Sequence, residues 1–272
     1  MSRPDDSVDS SASAAPIAVF DSGVGGLSVL RAIRDRLPNE PLLYVADSGN
    51  APYGNRDLDF IVDRSMAIAT WMVERGAKEI VVACNTATVV AVATLRERFN
   101  VPIVAVEPAI KPAAEGSQNH VIGVLATSRT LESPAVDRLR RQYAANTEIV
   151  LQPCPGLVEE IEQGRIDSAE TTALLERYLA APLAAGADHL VLGCTHYVFL
   201  RERIREMVGP GITLVDSGDA VARQTARRLP YAAPTGSARE EFYTTGDVRE
   251  ATALVSSLWG APVHVHALPS TV

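Results

Sequence analysis

"EIVVACNTATVV", residues 79–90, carries one cysteine at the end of an apolar run and follows it with Asn-Thr. "HLVLGCTHYVFL", residues 189–200, repeats the arrangement with Cys-Thr-His. In both, a short run rich in Val, Ile and Leu leads into the thiol, and a helix-like stretch follows. Runs that are apolar throughout suit parallel strands buried on both faces. Each thiol then stands at the carboxyl end of a parallel strand, where open α/β sheets bind their ligands. A buried structural thiol needs no polar neighbours, and a disulfide needs no pair of strand ends.

The same pattern extends along the chain. Strands are expected at 16–20, 42–46, 79–83, 102–106, 120–126, 147–151, 188–192, 212–215, 240–245 and 262–268. Helical segments are expected between most of them, at 57–75, 86–98, 129–143, 168–182, 197–207 and 217–228. Such alternation predicts an α/β fold with parallel sheets. "IAVFDSGVGGLSVLRAI" opens the first half and "VIGVLATSRTLESPAV" the second, each as strand, polar turn and helix. The expectation is two pseudosymmetric domains, each a mainly parallel sheet flanked by helices, with the active site in the cleft between them. Residues 16–107 and 217–272 would form the first, 108–216 the second, and 1–15 a disordered tail.

Composition narrows the class. With 272 residues, 47% of them hydrophobic, a large core is available. Apolar runs end well before the ~18 residues of a membrane span. The start lacks the apolar segment of a signal peptide. Three widely spaced cysteines argue against a disulfide framework and for a cytoplasmic protein with reduced thiols. A net charge of −8 disfavours nucleic acid and anionic membranes as partners. Lysine occurs only at 78 and 111, both away from the polar turns, which disfavours a Schiff-base cofactor.

Five polar turns fall at strand ends: 20–26, 47–54, 83–88, 125–130 and 193–197. Any one could merely cap a helix, with Ser22, Thr86 or Thr195 as the cap. Five in register, two with cysteine, favour a site. "GVGG" at 23–26 lacks the third glycine of the dinucleotide fingerprint and the lysine of a P-loop. It reads as a tight turn with close backbone approach to a small anion. No CxxC pair supports a metal, and none is expected. Cys154, between prolines, reads as structural or incidental. Two thiols facing one small anionic substrate suggest proton chemistry at one carbon. A helix opening just after a thiol favours its thiolate. Asp21 could reach Cys84 if the first and third strands are neighbours, and His196 lies two residues past Cys194.

"FDSGVGGLSVL", "PYG", "ACNTAT", "GCTHY" and "IEQG" closely resemble the aspartate/glutamate racemase family over about residues 16–229. The resemblance implies a cofactor-independent two-base isomerase that interconverts L- and D-glutamate, the D form entering peptidoglycan. It implies Cys84 and Cys194 as the acid/base thiols, with Cys84 acting on D-glutamate and Cys194 on L-glutamate. Asp21, His196 and Glu162 would support them. Asp21, Ser22, Tyr53, Gly54, Asn85, Thr86, Thr195 and His196 match substrate-binding positions, and Thr127 and Thr130 are additions to them. "CTHY" matches the glutamate branch, although Val198 stands where the family has Pro. A homodimer is implied; DNA gyrase is a partner only by analogy with some members. The competing readings are a racemase of a related amino acid such as aspartate, and a non-catalytic amino-acid-binding protein.

Overall fold

Among the residues described by a computed structural model (15–143, 145–269 and 272), the apolar runs become ten strands. These are β1 (Ile17–Asp21), β2 (Pro41–Ala46), β3 (Glu79–Val82), β4 (Ile103–Ala105), β5 (Val121–Ala126), β6 (Glu148–Pro153), β7 (His189–Leu192), β8 (Thr213–Val215), β9 (Arg239–Thr244) and β10 (Val265–Ala267). All but Ala15 of the expected tail, residues 1–15, lies outside the described residues. Every residue of β1, β2 and β3 is buried, as expected of strands covered on both faces. Each fully buried Val, Ile or Leu there contributes about 1.5–3 kcal/mol of hydrophobic stabilisation.

The strands form two parallel sheets, ordered β10-β9-β2-β1-β3-β4 and β6-β5-β7-β8. The segment β2-β1-β3-β4 has the same topology as β6-β5-β7-β8, so the echo between the sequence halves is an echo of fold. Strands β9 and β10 bring the end of the chain back to the first sheet. We call the halves built on the two sheets the first and second lobes. In each, chain order reverses about one strand, β1 in the first and β5 in the second. That reversal opens a crevice beyond the strand ends. Phe20 pairs with Val82, and Leu125 with Leu192. The turns after β1 and β3, and after β5 and β7, are thereby set side by side.

The helices are α1 (Leu27–Arg36), α2 (Leu58–Glu74), α3 (Asn85–Arg98), α4 (Ile110–Gly116), α5 (Ser128–Leu131), α6 (Pro134–Tyr143), α7 (Leu157–Glu162), α8 (Ala169–Ala184), α9 (Arg201–Val208), α10 (Gly218–Arg228) and α11 (Val248–Trp259). Two of the expected helices differ from expectation. The helix expected over 129–143 breaks into α5 and α6 at Ser133, because the residue before a proline is driven out of the helical region. Pro134 then opens α6, where its missing N–H costs nothing. The helix expected from 197 begins as a 3-10 segment, Thr195–Leu200, before α9. One hydrophobic cluster joins the lobes, running from Val24 and Leu27 to Tyr197 and Leu200. Among the described residues no helix is long and apolar enough to cross a membrane.

Candidate active site

The polar turns converge on a small closed pocket between the lobes, with about 280 Å³ of atom-free space. From the first lobe it is lined by Asp21, Ser22, Tyr53, Gly54, Cys84, Asn85 and Thr86. Thr127, Thr130, Cys194, Thr195 and His196 line it from the second. Every site residue expected from sequence therefore meets at one place except Glu162, which stands behind His196. Cys154 is buried outside the pocket, its thiol donating to the Gln152 carbonyl at 3.3 Å. Lys78 lies at the amino end of β3, the opposite end of the sheet, paired with Glu40 at 2.6 Å.

Cys84 follows β3 and is itself the N-cap of α3; its sulfur accepts the Ala87 N–H at 3.4 Å. Its thiol reaches Ser22 Oγ at 3.6 Å. Ser22 in turn donates to Asp21 Oδ1 at 3.0 Å. The other oxygen, Oδ2, accepts Thr195 Oγ1 from the second lobe at 2.6 Å. Asp21 thus joins the two thiol-bearing turns. Ser22, Thr86 and Thr195 do not cap the helices that follow; Gly26, Cys84 and Cys194 stand at those positions. Burial pushes the Cys84 thiol up to about 12, and Asp21 adds to the rise. The thiolate expected from the helix dipole is therefore outweighed: removing a charge from water costs more than a helix end returns.

Around Cys194 the arrangement differs. Sγ lies 3.7 Å from His196 Nδ1, and His196 Nε2 lies 2.5 Å from Glu162 Oε1. Burial works against the imidazolium, yet hydrogen bonding to Cys194 and Glu162 raises His196 well above its ordinary value. Glu162 is fixed from the first lobe. Oε1 accepts the Val24 N–H at 2.7 Å, and Oε2 accepts Ser48 Oγ at 2.9 Å. The "GVGG" turn does approach an anion, but that anion is the protein's own carboxylate. A Cβ on Gly23 would overlap the Glu162 carboxylate, and one on Gly25 would overlap the His196 ring. These glycines let the second lobe close against the first.

The outer groups hold the turns. Tyr44, on β2, donates to the Gly23 carbonyl at 2.6 Å. Burial, then Asp21, raises its hydroxyl well above the ordinary value, so it stays a donor. Tyr53 turns its hydroxyl away from the pocket to Asp47 Oδ2 at 2.5 Å, and Asp47 is ion-paired with Arg64 at 2.7 Å. Sequence reasoning missed Tyr44, Asp47 and Ser48. Asp47 and Ser48 open the turn 47–54, which was singled out, but nothing in it showed which groups face inward. Thr86, Thr127 and Thr130 link hydroxyls across the lobes at 3.0–3.3 Å. Asn85 Oδ1 is a buried acceptor with no protein partner.

This fold is that of racemases. The chain belongs to the Asp/Glu/hydantoin racemase family, a family of isomerases, whose model matches residues 26–225. A glutamate racemase of Stutzerimonas stutzeri is 48% identical over 260 residues, 94% of this chain and 98% of that protein. One from Pseudomonas aeruginosa (strain PAO1) is 48% identical over 258 residues, 93% of this chain and 97% of its own. Among solved structures, Escherichia coli glutamate racemase in complex with L-glutamate and the activator UDP-MurNAc-ala superposes with a TM-score of 0.83 at 35% identity, covering 93% of this chain and 98% of that one.

Proposed function

We propose that the chain interconverts L- and D-glutamate by proton transfer between two thiols, supplying D-glutamate for peptidoglycan synthesis. The observation that carries this reading is the placement of Cys84 and Cys194 on the walls of one closed pocket, each from a different lobe. Glutamate is the substrate because relatives at 48% identity over nearly the whole chain are glutamate racemases. A cytoplasmic homodimer of two-domain subunits, divided near residues 107 and 217, accompanies this reading.

The two thiols have different surroundings. Hydrogen bonding to Cys194 and Glu162 raises His196 well above its ordinary value, which favours an imidazolium 3.7 Å from the Cys194 sulfur. Cys84, pushed up to about 12, keeps its proton. For L-glutamate, Cys194 takes the α-proton while Cys84 delivers one to the opposite face. For D-glutamate the roles reverse, and Cys84 must first lose its proton. The substrate ammonium, brought into the pocket, favours that loss, as any nearby cation favours a thiolate. Asn85 Oδ1 is the free acceptor available to the ammonium.

The hard step is the carbanion-like transition state. Preorganised dipoles stabilise such charge best where water is excluded. The first-turn N–H groups of a helix lack internal partners. In α3 the Ala87 N–H is taken by Cys84, which leaves Asn85 and Thr86 to meet a carboxylate. The Asp21–Ser22–Thr195 and threonine clusters hold hydroxyls around the same space.

Circular dichroism with L- and with D-glutamate, after dialysis against chelator and with no cofactor added, tests the reading. Both enantiomers are expected to converge on the racemate, and aspartate to react at most slowly. Equal rates on aspartate, no reaction with glutamate, or activity restored only by an added metal or cofactor would contradict it.

A further inference from the structure

Glu162 belongs to the second lobe by sequence, yet both of its oxygens are bound by the first. Val24 N–H holds Oε1, which also meets His196 Nε2 at 2.5 Å; Ser48 Oγ holds Oε2 at 2.9 Å. Ser48 opens the 3-10 turn Ser48–Asn50 that follows β2. It does not line the pocket that holds the thiols; it borders an open groove on the far side of Glu162. The line from Ser48 through Glu162 and His196 ends at Cys194. Cys84 has no equivalent: its line runs through Ser22 and Asp21 to Thr195, all buried and all independent of Ser48.

A carboxylate held by two donors has a fixed position and a fixed acceptor for the imidazole. With one donor removed, Oε2 swings towards the groove and its grip on His196 Nε2 weakens. The charge on His196 then no longer matches its place beside Cys194. Both donors come from the first lobe, so this charge is set only when the lobes are closed on each other.

We propose that Ser48 is a positioning residue for the Cys194 half of the site alone: it fixes Glu162 across the lobe boundary and thereby couples lobe closure to the charge on His196. The proposal rests on the two-thiol reading above, and it adds an asymmetry that reading does not require. It also gives each thiol a separate means of control, since a change at Ser48 reaches one base without passing through the other.

Racemisation cannot expose the asymmetry in kcat/KM, because the equilibrium constant between enantiomers is one. An irreversible half-reaction can. A glutamate analogue with a leaving group on Cβ loses its α-proton to one thiolate; the Cα–H electron pair forms the Cα–Cβ double bond, and the leaving group departs with its own electron pair. The L analogue is started by Cys194 and the D analogue by Cys84. In Ser48→Ala, kcat for elimination from the L analogue is expected to fall about tenfold, the effect of one hydrogen bond to a charged group. Elimination from the D analogue should change by less than about twofold, and Ser48→Thr, which keeps the hydroxyl, should restore the L rate. A thermal unfolding curve checks that each variant is folded. Equal losses with both analogues, no loss with either, or no rescue by threonine would overturn the proposal. A parent enzyme that eliminates from only one enantiomer would instead overturn the two-thiol reading itself.

Discussion

A methyl group on Gly25 would overlap Nδ1 of His196 and stand 2.6 Å from Oγ1 of Thr195. Both side chains come from the other lobe, and both are at least nine-tenths buried, so neither can give way into solvent. Gly25→Ala should therefore leave the sheets intact but hold the lobes apart near His196. A misplacement of about 1 Å at a reacting group can cost ~10²-fold, and a loss of that order is expected in racemase turnover. Normal turnover in a folded Gly25→Ala protein would show that the lobes need not close as described. At this scale the sequence was informative about identity and less so about environment. Cys84 and Cys194 were legible because a thiol recurs at two strand ends, and Asp21 and His196 because they lie near those thiols by strand order or by spacing. What approaches Gly23 and Gly25 was not, since a glycine records the absence of a side chain and not the partner that fills the space. The state of Cys84 was misjudged for a related reason: a helix start is visible in sequence, whereas complete burial is a property of the assembled lobes.

Elements were legible where periodicity and length agree. The parallel strands announce themselves as apolar runs, and all ten appear within a few residues of their expected positions. The short helices α4 and α7, of 7 and 6 residues, span under two turns and leave no period to read. Strand β3 contains a feature that pattern alone would not suggest. It begins with Glu79, fully buried, with neither carboxylate oxygen hydrogen-bonded. Burial raises this carboxyl from 4.5 to about 8; Lys78 and Arg228 oppose the rise and Glu40 adds to it. A group whose folded value is raised contributes its full stability at pH below the unfolded value and loses it as pH climbs through the folded one. The wild type should thus lose stability relative to Glu79→Gln between about pH 4.5 and pH 8. The gap in Tm should widen by at least about 3 °C across that window, the shift of roughly 1 kcal/mol in a chain of this size. A constant gap would mean that Glu79 finds a partner or reaches water.

At the scale of the molecule, two sheets of matching topology set one thiol each at their crevices, and a single apolar cluster presses the crevices together. The duplication was visible in the opening segments of the two halves. The last strands return to the first sheet, β9 beside β2 and β10 beside β9. The asymmetry was not visible: Cys84 is tied through Ser22 to Asp21, whereas Cys194 faces His196 and Glu162. It arises from contacts between residues up to 174 positions apart. Such contacts have no local signature.

The central claim is that each thiol serves one face of the α-carbon, and single cysteine variants test it most directly. Serine keeps the geometry but is hardly ionised near neutral pH, so it is a far weaker base. Racemisation needs both faces and should nearly vanish in Cys84→Ser and in Cys194→Ser. Elimination from the β-substituted analogue needs one base only. Cys84→Ser should still eliminate from the L analogue through Cys194, and Cys194→Ser from the D analogue through Cys84. Opposite enantiomer preferences in the two variants are the predicted result. The same preference in both, or normal racemisation by either, would contradict the two-thiol account and leave one cysteine as part of the scaffold.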